Sequence, residues 1–249
     1  MKSVKISVYR EDPTTGEKGH FQEFDVPVKE GMVVLDAIRY IEENLDTTLS
    51  SRWNCKASRC GSCAAEINGR PALMCGTRID SLHGNVRVEP MRAFPLIKDL
   101  VTDVSENFEI DRSIPAYKPE KGTKAPYDMK QIDIEKTKEF RKCIECFLCM
   151  DVCHVIRAHK SGYVGPRHVV KAASLDMHPK DTLDRSSHLN QKGGLGFCNI
   201  TKCCQEVCPE GIRITDNAII PEKERAVDST YDPLMMFAKK VKEENEGKK

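Results

Sequence analysis

The sequence predicts an α+β protein in two parts, a small sheet crossed by one helix and then a helical region. Three observations predict it. Alternating apolar residues flank a single amphipathic stretch in the first hundred residues, a proline-rich and charged connection follows, and the remainder shows no β alternation. At 249 residues the chain can form two domains of ordinary size, each with its own core.

Val4, Ile6 and Val8 alternate, Asp12-Pro13-Thr14-Thr15-Gly16 reads as a turn, and Phe24, Val26 and Val28 alternate again, which predicts an N-terminal hairpin. Val34, Ile38, Ile41 and Leu45 then form one apolar stripe at helical spacing, with Arg39, Glu42 and Glu43 facing away. Asn68-Gly69 is a hairpin turn that brings Cys75 back toward the cysteine loop before it, and Val86 and Val88 suggest a closing strand. The first domain is expected over 1–108. From Glu109 to Asp133 proline and charge dominate, in Ile114-Pro115, Lys118-Pro119, Lys121-Gly122 and Ala125-Pro126, which marks a connection. The second domain, 134–249, is expected to be helical, with a loop from His178 to Gly196. The tail, Lys239 to Glu246, reads as a solvated, fraying helix.

Lys plus Arg (39) nearly balances Asp plus Glu (38), so no net field argues for nucleic acid or an acidic membrane surface. The start carries no apolar leader, and no stretch approaches the ~20 apolar residues of a membrane span. The expectation is a chain soluble in itself, unexported and without a transmembrane segment. In a reducing compartment, its twelve cysteines are more plausible as thiolate metal ligands than as disulfides.

Those cysteines fall into three groups of four. Cys55, Cys60, Cys63 and Cys75 read C-x4-C-x2-C plus one distant cysteine, the plant-type [2Fe–2S] spacing. Gly61, Ser62, Ala64 and Ala65 are small enough for backbone N–H groups to approach the sulfurs. A structural zinc site is the bland alternative, but zinc sites commonly show two C-x2-C pairs and this group has one. Cys143, Cys146, Cys149 and Cys153 read C-x2-C-x2-C-x3-C, a run whose fourth cysteine serves the other cluster in two-cluster ferredoxins. Cys143, Cys146 and Cys149 then take Cys208, followed by Pro209, as fourth ligand of a [4Fe–4S] cluster. Cys153 passes to a second site with Cys198 and either Cys203 or Cys204. The step Cys204-x3-Cys208 repeats Cys149-x3-Cys153, which selects Cys204 and leaves three thiolates, enough for [3Fe–4S]. Cys203 stays open, as a small buried hydrophobe or as a fourth ligand making [4Fe–4S].

The other signals are weaker. His154 and His159 are the two histidines near enough in sequence to a cluster to serve proton or quinone chemistry. Trp53 is expected to pack over the cluster loop, and Met235-Met236-Phe237 to form a packing face. No dinucleotide fingerprint, P-loop or nucleophile elbow occurs, and no catalytic residue is expected in this chain.

With Cys60-Gly61-Ser62-Cys63-Ala64, Ile67-Asn68-Gly69, Pro90, the run Phe94 to Val101, Gly165-Pro166 and Cys204-x3-Cys208-Pro209, the chain resembles, over nearly its whole length, the bacterial iron–sulfur subunit of succinate dehydrogenase and fumarate reductase, respiratory complex II. The resemblance implies a β-grasp plant-type ferredoxin domain followed by an all-helical ferredoxin domain, with clusters ordered [2Fe–2S], [4Fe–4S], [3Fe–4S]. It implies a flavoprotein subunit whose FAD oxidises succinate, and a membrane anchor, in many members bearing haem b, that holds a quinone beside the last cluster. On that reading the chain is a wire for single electrons, peripheral on the cytoplasmic face of the inner membrane. Lys56-Ala57-Ser58 and Arg59 replace the family's usual Arg-Glu-Gly run, and His154 stands where proline is common. Ala158 and Asn199 replace the Trp and His of ubiquinone-reducing members, which points to menaquinone. Fumarate reductase is the same machine reversed. A freestanding multi-cluster ferredoxin is the alternative of another class, against which the length and three clusters argue.

Overall fold

The structure, a computed structural model, describes residues 3–124, 126–159, 162–234, 236, 237 and 240. Ala125, Met235 and all of the expected tail helix except Lys240 lie outside the described residues. By its contacts the chain forms two compact units, one of Met1–Glu109, Lys142–Lys160 and Cys203–Ile212, the other of Ile110–Arg141, Ser161–Lys202 and Arg213–Lys249.

In the first unit, β1 (Ser3–Arg10) pairs antiparallel with β2 (His20–Pro27), from Ser3 opposite Pro27 to Arg10 opposite His20. Helix α1 (Val34–Asn44) follows, then the hairpin of β3 (Ala64–Ile67) and β4 (Arg70–Leu73), and β5 (Val86–Glu89). The sheet order is β2-β1-β5-β3-β4, with β5 parallel to β1 and antiparallel to β3. Alternation puts Ile6, Val8, Val26, Val86 and Val88 on a common buried side, and α1 covers them with Ile38 and Ile41. Each such side chain contributes about 1.5–3 kcal/mol on full burial.

Two expectations change here. The strand at Val86 and Val88 is the middle of the sheet rather than its closing edge, because parallel pairing with β1 brings together residues about eighty apart in sequence. Leu45 does not extend the buried stripe. The helix ends at Asn44, the backbone N–H groups of Leu45 and Asp46 both return to the Ile41 carbonyl, and Leu45 is left 47% exposed. At the other end Asp36 accepts from the Val33 N–H at 3.2 Å, half of a capping box, and its charge suits the helix N-terminus.

The same unit contains a small hairpin of β6 (Leu96–Lys98) and β7 (Val101–Thr102), the start of α2 (Ser105–Ser113), and the short helices α4 (Leu148–Asp151), α5 (His154–His159) and α8 (Cys203–Glu206). Between α2 and α4 the chain forms α3 (Gln131–Lys138), which belongs to the other unit. Leu148 joins the sheet core, and Ile144, Cys146 and Val207 pack against it. The cysteine turn thus shares a hydrophobic core with the β-grasp sheet.

The second unit is built from α3, α6 (Pro166–Asp176), α7 (Ser186–Gln191) and α9 (Ile220–Tyr231), the last preceded by a π-helical turn at Ile214–Ile219. Pro166 starts α6 where its missing N–H costs nothing, and Val169, Val170, Ala172 and Ala173 are buried. The segment expected as a loop holds α7, because Leu189 and Leu195 are buried and pin it. Fully buried Arg185 donates to the carbonyls of Pro115 and Ala116 at 2.7 and 2.9 Å and pairs with Asp176 and Asp181 at 2.6 and 2.8 Å. This side chain ties down the proline-rich connection, together with Thr182, whose N–H and hydroxyl both donate to the Lys118 carbonyl at 2.9 and 2.8 Å. Met236 and Phe237, expected as a packing face, are exposed.

Glu222 is buried in α9 beside Asp176. Burial first, then the Asp176 charge, pushes its carboxyl up to about 8 from an ordinary 4.5, against the pull of Arg225. The folded unit therefore holds the proton. Stability is full below the unfolded-state value and declines as pH rises through about 8. Glu222→Gln is expected to stabilise by on the order of 1–3 kcal/mol at high pH and progressively less toward pH 5. Thermal melts of the assembled protein across that range check this, and a pH-independent difference would refute it.

Candidate metal centres

The cysteines sit on two kinds of backbone, each shaped locally before anything long-range acts. In the first group, Cys55 and Cys60 lie on a loop after α1, Cys63 precedes β3 and Cys75 follows β4. The β3–β4 hairpin turns at Asn68 and Gly69, both with left-handed φ (50° and 77°), as a two-residue turn requires. Cys63 and Cys75 are thereby joined: the Met74 N–H donates to the Cys63 carbonyl at 3.0 Å, and the Cys75 N–H to Cys63 Sγ at 3.5 Å. The first amides of α1, Val34 and Leu35, have no partners within their helix and donate instead to Thr77 and Met74 carbonyls at 2.9 and 3.0 Å. Both flanks of Cys75 are held by the helix.

Lys56 and Ser58 take left-handed backbone (φ 56° and 54°). For non-glycine residues this costs on the order of 1 kcal/mol each. It turns the loop amides inward. Ala57 and Arg59 N–H groups both donate to Cys55 Sγ at 3.3 Å, Ser58 N–H to Cys75 Sγ at 3.3 Å, and Cys55 N–H to Cys60 Sγ at 3.5 Å. Backbone donors aimed at sulfur are what thiolate ligands of an iron–sulfur cluster need, so the donor set fits. Burial pushes the Cys63 thiol up to about 12, opposed by the Cys75 N–H. Burial acts the same way on Cys60, but hydrogen bonds from Ser62 and Cys55 outweigh it and bring that thiol down to about 6. Trp53 lies between the Arg39 guanidinium, 4.2 Å from a ring centroid, and the Lys56 ammonium, at 4.6 Å, which clamps the loop to α1.

In the second group, Cys143 and Cys146 lie in the turn ahead of α4, Cys149 in α4, and Cys153 just before α5. Burial drives the Cys149 thiol well above its ordinary value, reinforced by Cys146, Cys143, Cys204 and Cys208. Burial also raises Cys146 to about 12, with the Leu148 N–H opposing and Cys143 and Cys208 adding. Cys204 and Cys208, far along the chain, are thus both brought near Cys149, and Cys208 near Cys146 as well. Cys208 Sγ accepts from the Ile212 N–H at 3.4 Å.

The third group repeats the backbone of the second. Phe140–Lys142 and Leu195–Phe197 each form a 3-10 turn, immediately followed by Cys143 and by Cys198. Glu145 and Phe147 have left-handed φ (56° and 60°), as do Ile200 and Lys202 (60° and 64°). Then α4 begins at Leu148 and α8 at Cys203, with Cys149 and Cys204 second in each helix. In this register Cys153 matches Cys208, Thr201 stands where Cys146 stands, and Cys203 where Leu148 stands. Thr201 was not singled out from the sequence, although aligning the two groups on their outer cysteines would have found it. Cys153 and Cys204 belong to the first unit and Cys198 to the second. His154, Ala158 and Asn199 are exposed, and the His159 side chain lies outside the described residues.

A family described as a 2Fe-2S iron–sulfur cluster binding domain matches residues 5–109, and one described as a 4Fe-4S dicluster domain matches residues 139–212. The fumarate reductase iron–sulfur subunit of Mycobacterium tuberculosis is 35% identical over 225 residues, 85% of this chain and 88% of that protein. The succinate dehydrogenase iron–sulfur subunit of Bacillus subtilis is 29% identical over 231 residues, 86% and 89% of the two chains. A chain of the Mycobacterium smegmatis Sdh1 complex, solved in the apo form, superposes with a TM-score of 0.89 at 51% identity, covering 93% of this chain and 98% of that one.

Proposed function

The chain belongs to the iron–sulfur subunits of the succinate dehydrogenase and fumarate reductase family, and from that premise we propose that it carries electrons from the FAD of a flavoprotein subunit to a membrane quinone. It is an electron-transfer subunit of an oxidoreductase, with [2Fe–2S] and [4Fe–4S] domains. The proposed ligands are Cys55, Cys60, Cys63 and Cys75 for [2Fe–2S], Cys143, Cys146, Cys149 and Cys208 for [4Fe–4S], and Cys153, Cys198 and Cys204 for [3Fe–4S]. The exchange between groups is supported by Cys208 acting on both Cys146 and Cys149, whereas Cys204 acts on Cys149 alone of the two.

When bound, these clusters supply one-electron carriers, and the dicarboxylate chemistry rests on the partner. The N–H groups of Ala57, Ser58 and Arg59 lie against sulfurs where negative charge collects, and so favour the reduced form. Domains over 1–108 and 134–249, joined by 109–133, are part of the same reading. Among the described residues no helix is long and apolar enough to cross a membrane. From the family, attachment is proposed through an anchor subunit, haem-bearing in one variant of the reading, on the cytoplasmic face. Ala158 and Asn199 support menaquinone as acceptor, and succinate oxidation is the proposed direction.

The repeated backbone supports Cys203 as an apolar-position residue and Thr201 as the vacant ligand position. Thr201→Cys is then expected to convert the last cluster, raising iron from about 9 to about 10 per chain and erasing the EPR signal of the oxidised sample. Cys203→Ala should change neither. Iron analysis with EPR of the oxidised complex, purified from membranes with its partners, is the test of the whole assignment. A wild-type sample silent when oxidised would overturn the [3Fe–4S] reading, and recovery of the chain without flavoprotein or anchor would sink the complex.

A further inference from the structure

Gly61 has left-handed backbone (φ 71°) and is buried between Cys60 and Ser62. A Cβ built on it would lie 2.6 Å from Cys146 Cα, 2.8 Å from Cys146 Cβ and 3.0 Å from Cys146 N. These are backbone and near-backbone atoms of a turn anchored in the sheet core, so no flexible side chain can yield. The loop of the first cysteine group and the turn of the second therefore touch main chain to main chain, within one compact unit. No other glycine with left-handed φ in this unit meets another segment: Gly16, Gly31, Gly69, Gly84 and Gly211 have nothing within 4 Å.

We propose that Gly61 is a positioning residue that sets the separation of the first and second clusters, by letting the Cys60-Gly61 peptide lie directly on Cys146. The inference rests on the ligand assignment above. From Cys60 Sγ to Cys146 Sγ the path runs through one side chain, one peptide link, a single through-space step and a second side chain. Any residue but glycine must push the two segments apart at that step. Electron transfer weakens steeply with such a gap, as does magnetic coupling between two paramagnetic centres. Ser62 and Cys63 would move with the loop, so no side chain elsewhere restores the distance.

The test uses the membrane complex carrying Gly61→Ala, with Gly16→Ala as a control for left-handed strain alone, since Gly16 has φ 72° and open space around it, in the turn between β1 and β2. Iron content and the separate EPR signals of the reduced clusters report assembly. Spin–spin relaxation between the reduced first and second clusters, and the single-turnover rate from the first to the second, report separation. The expected result is loaded Gly61→Ala complex with weakened spin coupling and a several-fold slower transfer, and Gly16→Ala like wild type. Wild-type coupling and rate in loaded Gly61→Ala would overturn the proposal.

Should the Gly61→Ala loop fail to load, Leu148→Ala decides. It removes a buried side chain two residues from Cys146, in the core against which Cys146 packs, and unchanged coupling there would also overturn the proposal. Absence of either cluster from wild type would instead defeat the ligand assignment on which the inference stands.

Discussion

Cys208→Ala is expected to remove about four irons and abolish quinone reduction, while the [2Fe–2S] signal of the reduced complex persists. The reason is position rather than sequence order. Cys208 belongs by sequence to the third cysteine group, yet its charge is felt at Cys146 and Cys149, and burial already holds the Cys146 thiol up at about 12. Three thiolates at that site would have to share a cluster that needs four. Electrons entering at Cys55 to Cys75 would find no second carrier. Iron analysis and EPR of the purified complex read the result directly. If the variant kept its [4Fe–4S] signal and lost the signal of the oxidised third cluster, the exchange of Cys153 and Cys208 would be wrong.

Arg157→Ala is expected to cost up to about 3–5 kcal/mol of stability, the range for breaking a buried ion pair by removing one partner, with Arg92 left on Glu66 to offset part of it. Glu66 on β3 and Asp151 on α4 have wholly buried side chains. Arg157 on α5 reaches Glu66 Oε1 at 2.5 Å and Asp151 Oδ1 at 3.5 Å, and its Nε donates to the Asp151 carbonyl. Arg92 Nε lies 3.1 Å from the other Glu66 oxygen, and the Ala93 N–H donates to Asp151 at 3.0 Å. Burial, then Asp151, pushes the Glu66 carboxyl up to about 7 even with both guanidinium groups pulling it down. Without Arg157 the carboxyl will take a proton more readily.

A carboxyl whose folded value is raised loses stability as pH climbs from its unfolded value through the folded one. The deficit of Arg157→Ala should therefore be larger at pH 8 than at pH 6. Removing both partners, as Glu66→Gln with Arg157→Met, should recover much of it, because an unpaired charge costs more than an absent pair. Thermal and denaturant unfolding of the complex at the two pH values measure this. A single-variant loss below about 1 kcal/mol would mean that the cluster behaves like an exposed ion pair.

Much of the first unit was legible in advance. Alternation at Val4, Ile6 and Val8, the Asn68-Gly69 turn and the stripe from Val34 to Ile41 are local patterns, and local patterns need no knowledge of the rest of the chain. Leu45 failed because a helix end is decided by which carbonyl the next amides find. Helix α7 was missed because six residues are too few for a periodic signal, and what holds them is the burial of Leu189 and the salt-bridged Arg185. The network of Glu66, Arg157 and Asp151 was invisible for a related reason. Each residue taken alone reads as an ordinary surface charge.

The chemistry is written in the order of residues: twelve cysteines in spacings that suit iron–sulfur clusters, on an α+β chain with one crossing helix, resembling a family of respiratory iron–sulfur subunits. Ligand spacing is short-range geometry, and a few residues of backbone suffice to encode it. The fold added what spacing alone leaves open. It brings Cys208 near Cys146 and Cys149, puts Thr201 in the backbone register of Cys146, and lays Gly61 on Cys146, and on these the proposed grouping of the cysteines rests. Those relations depend on packing between segments remote in sequence, where the hydrophobic effect supplies the force and carries no record of order along the chain.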